Sequence, residues 1–178
     1  RFGNSYYKII IEDNIDPSRT ARTYGRMGEC FKLQGDYYNS LTYYKKAINN
    51  LKELKNRKSL LINSLNMANV YQEITDESYK EDRLDLINEI MATKKDSSYA
   101  GYFTDGRNTI YHGIVANFYN CDENTSGSFD FKIAKYHYKK AIKYCESSNA
   151  THRFSIIYAN YGNLYHKEKK DSAIFFLE

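Results

Sequence analysis

Residues 24–51 read YGRMGECFKLQGDYYNSLTYYKKAINNL. In the first half, Tyr24, Met27, Gly28 and Phe31 fall at i, i+3, i+4 and i+7, which places them on one face of a predicted helix. Gly35-Asp36 then breaks the chain, and a second stripe follows: Ser40, Leu41, Tyr44, Ala47, Ile48 and Leu51. The unit is a helical hairpin. Gly28 leaves no bulk on the face where the second helix approaches.

The same grammar recurs along the chain. Tyr43-Tyr44-Lys45-Lys46-Ala47-Ile48 returns as His137-Tyr138-Lys139-Lys140-Ala141-Ile142. Asn66-Met67-Ala68-Asn69-Val70-Tyr71 returns as Ile114-Val115-Ala116-Asn117-Phe118-Tyr119 and again as Asn160-Tyr161-Gly162-Asn163-Leu164-Tyr165. The small residue at the centre of each copy is Gly28, Ala68, Ala116 or Gly162. Second helices follow with Ala134, Tyr138, Ala141, Ile142 and Cys145 in the third copy, and with Leu84, Ile87, Ile90 and Met91 in the second. One hairpin cannot bury its own stripe, so such units stack in arrays.

The run Tyr24-x-x-Met27-Gly28-x-x-Phe31, Gly35-Asp36-Tyr37, Ser40-x-x-x-Tyr44-x-x-Ala47 resembles the two-helix signature of the tetratricopeptide repeat family. The resemblance covers residues from about 21 to 178 and implies an all-α fold, a right-handed α-solenoid of about four hairpins. It implies one repeat domain over 1–178, with repeats at 18–56, 57–96, 97–148 and 149–178, the last truncated, and 1–17 as the end of a preceding helix that includes Tyr6 to Asp13. The equivalent positions Tyr24, Ser64, His112 and Tyr158 lie 40, 48 and 46 residues apart, against ~34 in the family. The extra length is expected at Asp96–Asp105, as linker or helix extension, and in the polar loop Cys121–Asp130.

Composition narrows the functions. The net charge of +4, from 26 basic and 22 acidic residues, is mild and interspersed, unlike the one-sided charge of a nucleic-acid domain. No stretch approaches the ~18 apolar residues of a membrane span, and no signal-peptide pattern opens the chain. The first residue is Arg and the last lies in an apolar run, Ala173 to Leu177, which reads as a piece of a longer protein. Cys30, Cys121 and Cys145 form no C-x-x-C pair and lie at no zinc-ligand spacing, so they read as small packing residues.

A search for catalytic constellations finds no Walker-type loop, no His-Glu-x-x-His and no Gly-x-Ser-x-Gly elbow. Of the four histidines, His112 takes the place of a stacking aromatic and His137 that of Tyr43, while His166 is a groove candidate. The expectation is therefore no enzyme, no metal and no cofactor, with another protein or an extended peptide as partner, and neither nucleic acid nor membrane.

In a right-handed stack the first helices line the concave face. Asn69, Asn117 and Asn163 share one offset there, and Asn66 and Asn160 share a second. Carboxamides donate and accept at once, so such a ladder suits the backbone of an extended peptide; the alternative is that it braces neighbouring helices. Arg26 and Glu29 hold the two offsets in the first repeat and, with Arg22 and Lys32, predict a charged groove end. Repeats of this length, rich in Tyr, Lys and Asn, look similar to the sensing or scaffold regions of bacterial sensor histidine kinases and helix-turn-helix regulators. That likeness implies a role in signal transduction, with the array on either side of a membrane. A stand-alone chaperone or assembly adaptor is the alternative.

Overall fold

The computed structural model describes residues 16–120, 129–148 and 154–175, with side chains through 168. The expected helix over Tyr6 to Asp13 and residues 121–128 of the polar loop lie outside these. The described elements are α1 (Pro17–Leu33), α2 (Tyr37–Glu53), α3 (Arg57–Gln72), α4 (Lys80–Lys95), α5 (Asp105–Tyr119), α6 (Phe131–Ser147) and α7 (Phe154–Phe175). Short 3-10 turns lie at Glu77–Tyr79 and Ser97–Tyr102. The fold is all-helical among the described residues, and consecutive helices pack in pairs.

Each start is written in the sequence. Asp16 caps α1 by accepting from the Ser18 N–H at 2.9 Å, with Pro17 at the first helical position, where its missing N–H costs nothing. Asp36, Asn56 and Asp130 cap α2, α3 and α6 in the same way. Between α1 and α2 the chain turns through Gly35, whose φ of 76° is the left-handed conformation that glycine adopts without strain. The turn after α2 has the same hydrogen bonds, Asn56 N–H to Leu51 and Lys55 N–H to Lys52, but puts Lys55 at φ 52°.

The chain divides into two compact units, one of residues 1–74 and 88–99, the other of 75–87 and 100–178. In the first, α1 packs on α2 and α3 on both. All six positions of the expected α2 stripe, from Ser40 to Leu51, are buried. Tyr44 lies flat over Gly28: a Cβ there would sit 2.9 Å from the ring. Ser40 Oγ donates to the Gly28 carbonyl at 2.7 Å, so the two helices touch where the small residue sits.

In the second unit, α5 packs on α6 and α6 on α7. Ala116, Ala134, Tyr138, Ala141, Cys145, Ile157 and Leu164 form its core. Cys145 is fully buried and Cys30 half-buried, both as free thiols.

The stripe of α4 departs from expectation. Ile87 and Ile90 are buried as expected, but Leu84 is 43% exposed and Met91 half-buried, and Arg83 and Leu86 complete the buried stripe. The buried positions also obey i, i+3, i+4, i+7 spacing, one residue out of step with the expected start. The long aliphatic stem of Arg83 lets an arginine occupy a position that the hydropathy pattern assigns to solvent. Asp96–Asp105, expected as linker or helix extension, consists of a 3-10 turn and the start of α5.

Candidate partner-binding face

In the α1–α2 and α5–α6 hairpins the first helix is held by a tyrosine from the second. In the first unit the Tyr44 hydroxyl of α2 donates to Glu29 Oε2 of α1 at 2.7 Å, and Asn66 of α3 hydrogen-bonds to the same hydroxyl. Burial, reinforced by the Glu29 hydrogen bond and charge, pushes this phenol far above its ordinary range. It therefore stays a neutral donor.

The second unit repeats the device at the same register. The Tyr138 hydroxyl of α6 donates to Asn117 Oδ1 of α5 at 2.7 Å, and Asn160 Nδ2 of α7 donates to the same Oδ1 at 3.1 Å. Asn120 Nδ2 donates to Tyr138 Oη at 3.0 Å and to the Asn160 carbonyl at 3.1 Å. Lys167 Nζ closes the network on the Asn120 carbonyl at 2.6 Å.

Of the seven residues expected to line a groove, Glu29, Asn66, Asn117 and Asn160 are thus engaged between helices of their own units. Asn69 is half-buried, and Arg26 and Asn163 are exposed. The tyrosines were not singled out as polar partners, although Tyr44 and Tyr138 are identical in the repeated hexapeptide and mark the position.

The side of a first helix that meets its second helix is fixed by three positions. On α1 they are Ala21, Tyr24 and Gly28; on α5 they are Thr109, His112 and Ala116. Ala21, Thr109, His112 and Ala116 are almost completely buried, and Gly28 lies under Tyr44. On α7 the equivalent stripe is Ser155, Tyr158 and Gly162, and all three are exposed. Tyr158 is 50% exposed and Ile156 beside it 62%. Among the described residues no atom lies within 4 Å of where a Gly162 Cβ would stand. Asn163, at the offset where Glu29 and Asn117 receive a tyrosine hydroxyl, faces solvent.

No protein-family model, curated protein or solved structure matches this chain. The internal repeat is therefore the reference for its faces.

The histidine pair is the other polar feature of the second unit. His112 Nδ1 and His137 Nδ1 lie 3.0 Å apart, both rings buried. Burial lowers His137 from its usual range to about 4. Among the described residues no group of three or more potential metal ligands converges. None of the described helices is long and apolar enough to cross a membrane.

Proposed function

We propose that this chain is a protein-binding scaffold of the tetratricopeptide, right-handed solenoid type, and that the open stripe of α7 is the seat of a helix, supplied by a partner or by a longer form of the chain. The observation that carries this reading is the exposure of Ser155, Tyr158, Gly162 and Asn163, when the same register positions on α1 and α5 lie under a second helix. The partner helix is defined by what covers those positions elsewhere: a tyrosine three residues before an alanine, as in Tyr44–Ala47 and Tyr138–Ala141. The tyrosine ring fills the space over the glycine, and its hydroxyl donates to Asn163. Burying the apolar parts of Ile156 and Tyr158 contributes roughly 25 cal/mol per Å² removed from water. A role as the sensing or scaffold region of a bacterial signalling regulator is consistent with this binding mode and rests on repeat style alone.

The test is a titration of the whole chain against a labelled peptide with the sequence of α2, Tyr37–Glu53. Saturable binding that weakens about tenfold or more in Gly162→Leu is expected, since a leucine there overpacks the seat. Absence of saturable binding, or binding indifferent to Gly162→Leu, overturns the reading.

A further inference from the structure

The positive excess of the chain sits on one helix. α6 holds five lysines and one glutamate, so of the 26 basic and 22 acidic residues 21 of each are left for everything else. Burial puts that excess on one face. Ala134, His137, Tyr138, Ala141 and Cys145 turn inward, and from Lys132 to Lys143 every exposed residue is a lysine or Tyr136. Lys135 and Lys140 flank the exposed lysines half-buried, with Nζ of Lys135 5.1 Å from the Phe131 ring centroid and that of Lys140 5.6 Å from Tyr136. The repeated hexapeptide explains only Lys139 and Lys140, the equivalents of Lys45 and Lys46. Lys132, Lys135 and Lys143 stand where α2 has Tyr38, Leu41 and Asn49.

Such a face works against its own helix. Lys132–Lys135, Lys135–Lys139, Lys139–Lys143 and Lys140–Lys143 are like charges three or four residues apart, which destabilise a helix until an opposite charge answers them. Among the described residues no carboxylate forms an ion pair with any of the five, whereas Lys52 of α2 takes Glu89 at 2.8 Å.

A surface of the opposite sign lies on the same chain. Residues 76–85 hold five acids against Lys80 and Arg83, and Arg83 is buried. Asp76, Glu77, Glu81 and Asp85 are exposed. Glu81 and Asp85 repel each other at four residues' spacing, and neither forms an ion pair among the described residues. Each face also shows one large apolar side chain: Leu84, 43% exposed, among the acids and Tyr136, 55% exposed, among the lysines.

We propose that the lysine face of α6 docks on the acidic face of residues 76–85 in a second copy of this chain. Each face relieves the self-repulsion of the other, and Tyr136 and Leu84 meet inside the ring of charge. The charges are exposed, so salt weakens the contact. It uses neither α7 nor the seat proposed there.

Sedimentation of the whole chain over a range of concentrations, at ~20 mM and ~500 mM salt, tests this. Self-association at the lower salt should weaken by about tenfold or more at the higher. Lys132→Glu with Lys139→Glu and Lys143→Glu should leave a monomer, and so, separately, should Glu81→Lys with Asp85→Lys. All five positions are exposed, so helical content by circular dichroism should not change. An equimolar mixture of the two variants should associate again, since each supplies the charge that the other has lost. A chain monomeric at the lower salt, association that neither variant weakens, or a mixture that stays monomeric overturns the proposal. So does a monomer that binds labelled polyglutamate or a single-stranded oligonucleotide through the same lysines, because the occupant is then not a second copy.

Discussion

Tyr138 reaches across from α6 to place its hydroxyl 2.7 Å from Asn117 Oδ1 on α5, and the same oxygen takes a second hydrogen bond from Asn160 on α7. One carbonyl oxygen therefore joins three helices. Tyr44 does the same for α1, α2 and α3 through Glu29 and Asn66.

Removing the hydroxyl isolates its contribution. Tyr138→Phe keeps the ring in the core but leaves Asn117 and Asn120 short of a partner, and should destabilise the second unit by roughly 1–3 kcal/mol. Tyr44→Phe should cost a similar amount in the first. Chemical denaturation followed by exchange in each unit measures both, and a loss below about 0.5 kcal/mol would mean water replaces the bond freely.

Two glycines at one register should respond oppositely. Gly28→Ala drives a methyl to 2.9 Å from the Tyr44 ring and should lower the melting temperature. Gly162→Ala meets no atom of the described residues within 4 Å and should stabilise α7 by roughly 0.5–1 kcal/mol through reduced backbone freedom. Thermal melts of the two variants give the comparison directly.

Lys55 occupies a turn position that the first hairpin gives to glycine. With φ at 52° against 76° for Gly35, Lys55→Gly should remove strain of about 1 kcal/mol and raise the melting temperature. Gly35→Lys should do the reverse.

The Asp130 carboxylate accepts from the Ile133 N–H at 2.9 Å and starts α6. Asp130→Ala should cost about 1 kcal/mol in the stability of the second unit, and Asp130→Asn far less. Equal losses in both would point to charge rather than the cap.

The hairpins were legible because their signal is local. The stripe from Ser40 to Leu51 needs only helical periodicity, and Gly35-Asp36 only turn chemistry. The α4 stripe was misread at Leu84 because Arg83, by length, takes a buried position that hydropathy denies it. The asparagine offsets were found, but their use was not: whether a carboxamide meets a guest or a neighbouring helix depends on where Tyr44 and Tyr138 come to rest, which no pattern within one helix encodes. Reading 149–178 as a truncated repeat already implies a first helix without its second, and among the described residues Ser155, Tyr158 and Gly162 have no helix over them.

The central claim is that α7 offers a seat shaped for a tyrosine-bearing helix. Two-dimensional NMR of the whole chain, with and without the Tyr37–Glu53 peptide, maps the contact. Shifts centred on Ser155, Tyr158, Gly162 and Asn163, lost when the peptide tyrosine equivalent to Tyr44 is replaced by alanine, are the predicted result. Shifts confined to Arg26 and Asn69, or none on α7, would contradict it.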